Sequence, residues 1–315
     1  MKVASVCLLG GTGFVGRAIA EELAPRGIRM RIVTRLRQNA APLTVLPTAE
    51  VVVADAHDPA TLRRCFEDMD AVINLVGILH ETRRQSFRAC HEELPRKVAE
   101  ACGASGVRHL LHMSALGAAP GAPSQYLRSK AAGEAALRAA AGIVPWTIMR
   151  PSVIFGERDR FLNLFATLVR WNPVLPLAAA QARFQPVWVE DVARCFTLAL
   201  GNPAAFGAAY NLCGPNAYTL EELVRFVART LGRRRAILAL PAALGKLQAL
   251  AFEHLPGKLM TRDNLASMSM DNVCADPFPP LFGFNPSPLE AVVPEYLVGS
   301  AARARYPRYR HFAGR

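Results

Sequence analysis

No run of about 18 uninterrupted apolar residues occurs in this chain of 315, so nothing in it reads as a membrane span. The best candidate, Ala236 to Phe252, is broken by Pro241, Gly245 and Lys246. A secretory signal is missing too. The apolar start, Val3–Leu9, runs straight into glycines with no small-residue cleavage site. No CxxC pair is present, and the seven cysteines (7, 65, 90, 102, 195, 213, 274) are odd in number and scattered. That argues against a disulfide framework or a zinc site and predicts a reducing compartment. Lysine is scarce: five of the 37 basic residues, the rest being arginine. Most single arginines are therefore expected on an ordinary surface. No internal repeat is evident. With 51% hydrophobic and 20% charged residues, the chain is neither disordered nor fibrous.

What is present in the first half is an alternation of β-branched runs and helical stretches. Strands are expected at Val3–Leu9, Ile28–Thr34, Glu50–Asp55, Asp70–Gly77, Val107–Ser114 and Trp146–Arg150. Helices are expected at Phe14–Arg26, after Asp58-Pro59, within Arg83–Ser105 and at Gln125–Ala141. Such alternation predicts an α/β fold, a Rossmann-type doubly wound parallel sheet. After Pro151 helices dominate, which predicts a smaller, mostly helical C-terminal lobe. Residues 1–155 would form the dinucleotide-binding domain, with strands returned from Pro186–Val189 and Ala208–Cys213. Residues 156–315 would form the substrate or partner lobe. Thr219-Leu220-Glu221-Glu222 is a capping box opening a helix.

The strongest local signal is Gly10-Gly11-Thr12-Gly13-Phe14-Val15-Gly16, where a strand ends and a helix begins. Glycine lets the backbone turn tightly and approach a pyrophosphate, and free N–H groups at the helix start meet its charge. The end of the second strand selects the dinucleotide. A cofactor without a 2′-phosphate is usually held there by an acid. From Arg26 to Arg37 there are instead five arginines and no acid. Arg35 and Arg37 are the candidates, with Arg35 nearer the strand end. An arginine fork suits a phosphate, so NADP(H) is favoured over NAD(H). Asp55, at the third strand's edge, is a candidate acceptor for the adenine amino group. Leu75, Val76 and Gly77 end the fourth strand at the ligand-facing edge.

Ser114 ends the fifth strand, and Tyr126 and Lys130 follow at i, i+4 on one helix face. That set suits proton delivery to a carbonyl as a hydride arrives. A free phenol titrates near ~10, and a neighbouring ammonium lowers it. His109 and His112, three apart in a strand, point to opposite faces, so no metal site is expected. The net charge of +12 speaks only for non-specific association, and nucleic acid is not an expected partner. The tail Arg303–Arg315 carries five arginines among aromatics; it reads as a solvated terminus, with binding of nucleic acid or an anionic membrane as the other reading. The leucines 244, 247 and 250 read as a core stripe, with cover for an apolar substrate or lipid contact as the other reading.

In their order, the glycine turn, Asp55, Ser114, Tyr126 and Lys130 resemble the short-chain dehydrogenase/reductase superfamily, in its extended or atypical branch. Three stretches are similar to a narrower group: Asn74–Leu79, Tyr126–Glu134 and Arg150–Asn163. That group is the NADPH-binding accessory subunit of respiratory complex I (alpha subcomplex subunit 9) with its bacterial relatives. The resemblance implies a Rossmann domain holding NADPH, active-site places for Ser114, Tyr126 and Lys130, and Pro151 and Ser152 beside the nicotinamide. It implies an association with quinone or respiratory metabolism. Two functions remain open. One is an NADPH-dependent oxidoreductase acting on a small apolar carbonyl; the other is a non-catalytic accessory subunit or redox sensor. The missing presequence departs from the mitochondrial members. A bacterial, cytoplasmic protein is expected, with a peripheral place at the inner face of the membrane as the alternative.

Overall fold

The computed structural model describes residues 1–253 and 260–298; the tail Arg303–Arg315 lies outside the described residues. Seven parallel strands form the main sheet. They are β1 (Ser5–Leu9), β2 (Arg29–Thr34), β3 (Ala49–Val53), β4 (Ala71–Asn74), β5 (His109–Met113), β6 (Trp146–Pro151) and β7 (Ala208–Leu212). Their order is β7-β6-β5-β4-β1-β2-β3, a Rossmann-type doubly wound sheet whose direction reverses between β1 and β4. Every residue of β1 and β4 is buried, which is why these strands are apolar but for Ser5 and Asn74 at their ends.

Four helices position the site: α1 (Phe14–Leu23), α2 (Pro59–Phe66), α3 (Leu94–Ala104) and α4 (Gln125–Ala139). Asp58 caps α2 by accepting from the amides of Ala60 and Thr61, and Ser124 caps α4 by accepting from Leu127 N–H. Phe66, Leu94, Val98, Leu110 and Ile148 build the core on one face of the sheet. On the other, α1 packs against the helix Val189–Ala199, whose first turn carries Asp191.

The helix expected within Arg83–Ser105 arrives in two parts. Arg88–Glu93 is a π-helix, in which Leu94 N–H donates to Ala89 O, and α3 follows. Pro95 explains the break: lacking an N–H, it cannot serve the carbonyl of His91 four residues back. That carbonyl lies against α4 at Gly133, where a Cβ would come within 2.1 Å of it.

The chain divides into two compact units. The first comprises Met1–Pro151, Val189–Leu212 and Cys274–Phe284, and holds the main sheet. The second has its own core of Phe155, Leu162, Phe165, Leu223, Val227 and Val293, built on the helices Phe161–Trp171, Leu220–Thr230 and Leu289–Leu297. Thr219 and Glu222 close the capping box at the second of these.

Three expectations are corrected. Of the two returned strands, only β7 joins the main sheet. Val187–Trp188 pairs instead with Ile154–Phe155, because Val187 N–H donates to Val153 O in the second unit. Cys213 and Cys274 are disulfide-bonded, while Cys7, Cys65, Cys90, Cys102 and Cys195 are free and buried. Two cysteines so far apart in sequence carry no spacing signal. The leucine stripe is not core. In the helix Ala242–Glu253, Leu244, Leu247 and Leu250 are exposed, and the small residues Gly245 and Ala249 take the inward face. No helix among the described residues is long and apolar enough to cross a membrane.

Candidate active site

The glycine turn is built by close backbone approaches that exclude side chains. Gly10 has φ +80°, and a Cβ on it would stand 3.1 Å from the Leu75 carbonyl carbon. A Cβ on Gly16 would lie 2.5 Å from both Gly10 O and Gly11 Cα. Gly13 N–H donates to Gly10 O at 3.0 Å, and Gly13 is the N-cap of α1 with no side chain to fill its anion-binding end. Arg17, missed from sequence, braces the turn. Its Nε donates to Thr12 O at 2.9 Å and its guanidinium to Asn39 O at 3.1 Å.

Phe14 and Val15 open α1, with Val15 buried beneath the turn. Arg35 and Arg37 are exposed just past β2. With the Gln85 amide turned so that its oxygen faces Arg35, it accepts two N–H bonds at 3.0 and 3.3 Å. Asp55 does not end β3, which stops at Val53. It sits in the following turn, exposed, accepting from His57 N–H at 3.0 Å. Leu75 continues the ladder by donating to Leu9 O at 2.9 Å.

Two of the three expected catalytic groups share the start of α4. Lys130 is 3% exposed, and its Nζ donates to Met113 O at 3.0 Å, tying α4 to the tip of β5. A Cβ on Gly77 would stand 3.2 Å from that Nζ, so the glycine keeps the loop after β4 clear of it. Burial pushes Lys130 down to about 8, against the pull of Glu134. Burial likewise raises Tyr126 to about 12. Its ring meets Phe87 and His91 edge-on, at 6.0 and 5.5 Å between centroids.

Ser114 is differently placed. Its hydroxyl is buried beside the Glu134 carboxylate, which it helps to hold low, yet it has no partner at ordinary hydrogen-bond geometry. Burial pushes Glu134 up, but the bonds from Arg150 and Arg138 outweigh it. Pro151 O accepts from Leu116 N–H at 2.9 Å. Ser152 belongs to the second unit, where its Oγ lies 2.6 Å from Asn272 Oδ1.

Three buried histidines surround this region, and none reads as a metal ligand. His109 Nδ1 accepts from Gly201 N–H, so its Nε2 donates to Thr147 Oγ1 at 2.9 Å. Asn74 Oδ1 accepts from Val76 N–H, which leaves its Nδ2 to donate to His112 Nδ1 at 3.3 Å. His112 Nε2 is then a buried N–H without a partner. His91 binds Ile78 N–H and Ser129 Oγ. Sequence alone gave no signal for His91, because its partners come from the loop after β4 and from α4.

Burial, joined by the Lys130 charge at the first two, lowers His91 to about 2, His112 to about 3 and His109 to about 4. Unfolded rings take up protons near pH ~6.5, where the folded rings do not. The unfolded state therefore binds more protons below that pH. Stability is fully present above it and falls as pH drops towards about 4. The midpoint of urea unfolding is expected to fall through this window, with roughly three protons taken up on unfolding. A midpoint flat from neutral pH to about pH 4.5 would contradict these assignments.

The glycine cradle, which a Cβ at Gly10 or Gly16 would fill, fits the diphosphate of a dinucleotide. Residues 6–213 match the NAD dependent epimerase/dehydratase family, and the chain belongs to that family. It is 33% identical over 303 residues to NADH dehydrogenase (ubiquinone) 1 alpha subcomplex subunit 9, mitochondrial, of Mus musculus, across 90% of this chain and 77% of the relative. It is 32% identical over 237 residues to the ceramide reductase of Caulobacter vibrioides, across 75% of this chain and 73% of that protein. Among solved structures, DesIV, a dTDP-glucose 4,6-dehydratase of Streptomyces venezuelae with NAD and TYD bound, shares the fold. The TM-score is 0.67 at 21% identity, over 76% of this chain and 85% of that one. The family match supports binding of a nucleotide cofactor, and the glycine cradle is the candidate place for it.

Proposed function

We propose that the chain is an NADP(H)-dependent oxidoreductase reducing an apolar carbonyl. The observation that carries the reading is Lys130, buried against the tip of β5 and Gly77, one helical turn from Tyr126 and at the strand edge that the glycine turn serves. Gly10–Gly16 would hold the diphosphate, Asp55 the adenine and Arg35, with Arg37, the 2′-phosphate. Leu75, Val76, Pro151 and Ser152 would line the nicotinamide half. A bound nicotinamide would supply the hydride. Tyr126 holds its proton at neutral pH, because burial raises the phenol, and that suits donation to a carbonyl oxygen rather than its withdrawal from an alcohol. Lys130, lowered to about 8, remains mostly charged at pH 7 and would hold the ribose hydroxyls. Ser114 would steady the carbonyl oxygen once its hydroxyl turns from Glu134.

The reductase relative supports an apolar, lipid-like carbonyl, as opposed to a nucleotide sugar. The mitochondrial relative supports a second reading, a non-catalytic NADPH-binding accessory subunit or redox sensor beside a respiratory complex. The exposed Leu244, Leu247 and Leu250, with Lys246 among them, support peripheral contact with a membrane surface. Buried free thiols support a cytoplasmic place, and the disulfide at Cys213 and Cys274 is the observation against it.

Oxidation of NADPH by long-chain ketones and quinones tests the two readings: turnover with any supports the enzyme, and a tightly held NADPH that none oxidises supports the accessory role. Coenzyme choice tests Arg35. Arg35→Ala should weaken NADPH about tenfold or more and leave NADH unchanged, since only the former carries the 2′-phosphate. Equal losses for both coenzymes would overturn the assignment.

A further inference from the structure

His91 is less than 2% exposed and belongs to no expected motif, yet it joins two parts of the site. Its Nε2 lies 3.0 Å from Ile78 N, in the loop after β4. A backbone N–H can only donate, so Nε2 is bare and the neutral ring carries its proton on Nδ1. Nδ1 lies 2.8 Å from Ser129 Oγ, which accepts that proton. The Ser129 hydroxyl then donates to the carbonyl of Tyr126 at 2.7 Å. The chain of bonds thus runs in one direction from Ile78 to the first turn of α4. The ring also stacks on Phe87 at 5.4 Å and meets Tyr126 edge-on. A Cβ on Gly77 would sit 3.4 Å from Nε2 and 3.2 Å from Lys130 Nζ, so ring and ammonium stand on the same side of that loop. The π-helix sets the ring there, with the freed His91 carbonyl seated on Gly133.

We propose that His91 is a positioning residue, a clasp between the loop after β4 and α4 that holds Tyr126 and Lys130 in register for the nicotinamide half of the coenzyme. Both ring nitrogens are spent, so it transfers no proton. Protonation would set Nε2–H against Ile78 N–H, and the charged Lys130 beside it opposes that further. The inference deepens the coenzyme reading and rests on it for its ligand.

The test uses the whole chain with two probes: NADPH, and 2′,5′-ADP, which carries the phosphorylated adenine half without nicotinamide. Long-range proton–nitrogen spectra of the wild type should show the His91 proton on Nδ1, unchanged from about pH 5 to about pH 8. His91→Phe keeps the ring stack and loses both bonds. Ser129→Ala removes both the acceptor of the His91 Nδ1 proton and the donor to Tyr126 O, and keeps the bond from Ile78 N–H. Each should weaken NADPH about tenfold while 2′,5′-ADP affinity stays at the wild-type level. His91→Gln, which retains an acceptor for Ile78 N–H, should recover part of the loss. The Ile78 amide should exchange slowly in the wild type and in Ser129→Ala, and fast in His91→Phe. A proton on Nε2, titration of His91 within that pH range, or NADPH affinity unmoved in both variants overturns the clasp. If His91→Phe does not fold, the wild-type spectrum and Ser129→Ala decide. If the wild type binds neither nucleotide, the coenzyme reading falls, and the tautomer and Ile78 exchange decide the clasp on their own.

Discussion

Gly16→Ala should abolish dinucleotide binding. The added methyl would lie 2.5 Å from Gly10 O and Gly11 Cα and 2.6 Å from Gly11 O. All three are backbone atoms, so no side chain can swing aside. Either α1 moves away from β1 or the turn opens, and both displace the amides that would meet a diphosphate. Overpacking of this kind costs about 3 kcal/mol of stability, which lowers Tm by several degrees in a chain of this size. Gly142→Ala is the matched control. A Cβ there has nothing within 4 Å and Gly142 has no positive φ, so both binding and Tm should stay at the wild-type level. Isothermal titration with NADPH beside thermal melts reads both effects. Full affinity in Gly16→Ala would mean that the turn does not seat the diphosphate.

The second large effect is chemical. Tyr126→Phe removes one oxygen and keeps the ring that packs against Phe87 and His91. Coenzyme affinity should hold while turnover falls about a hundredfold to ten-thousandfold, the usual worth of a positioned general acid. Lys130→Met should behave differently. It leaves the Met113 carbonyl without its donor and removes the cation beside Gly77, so affinity and turnover fall together. Steady-state kinetics with NADPH titrations separate the two patterns. Unchanged turnover in Tyr126→Phe would remove it as the proton donor.

The parts of this site legible in the sequence are those fixed by local chemistry. Buried parallel strands must be mostly apolar, so Val6–Leu9, Ala71–Ile73 and Leu110–Leu111 stand out, although buried Asn74, His109 and His112 lie beside them. Asp58-Pro59 and Ser124 announce the starts of α2 and α4 because an N-cap needs an acceptor side chain there. The glycine turn is legible for the same reason, since its conformation excludes other residues. What sequence spacing did not reveal depends on partners far along the chain. Pro95 breaks the helix after Phe87, but only Gly133 on α4 gives the freed His91 carbonyl somewhere to lie. His91 and Asn74 gain their roles from α4 and β5, and Arg17 from Asn39. Asp55 looks like a strand end because Val51–Val53 are β-branched, yet β3 stops before it and the carboxylate closes a turn on His57. The exposed Leu244 and Leu247 show the limit of apolar spacing. Period alone does not say which face of a helix is covered, and here the small Gly245 and Ala249 are inside.

A crystal structure of the chain grown with NADPH would show whether the coenzyme lies across the glycine turn. The diphosphate should lie on the glycine turn and the free amides at the start of α1, the 2′-phosphate against Arg35, and the nicotinamide ribose within hydrogen-bond reach of Lys130 Nζ. Coenzyme seated elsewhere, or side chains filling the turn at saturating NADPH, would contradict it.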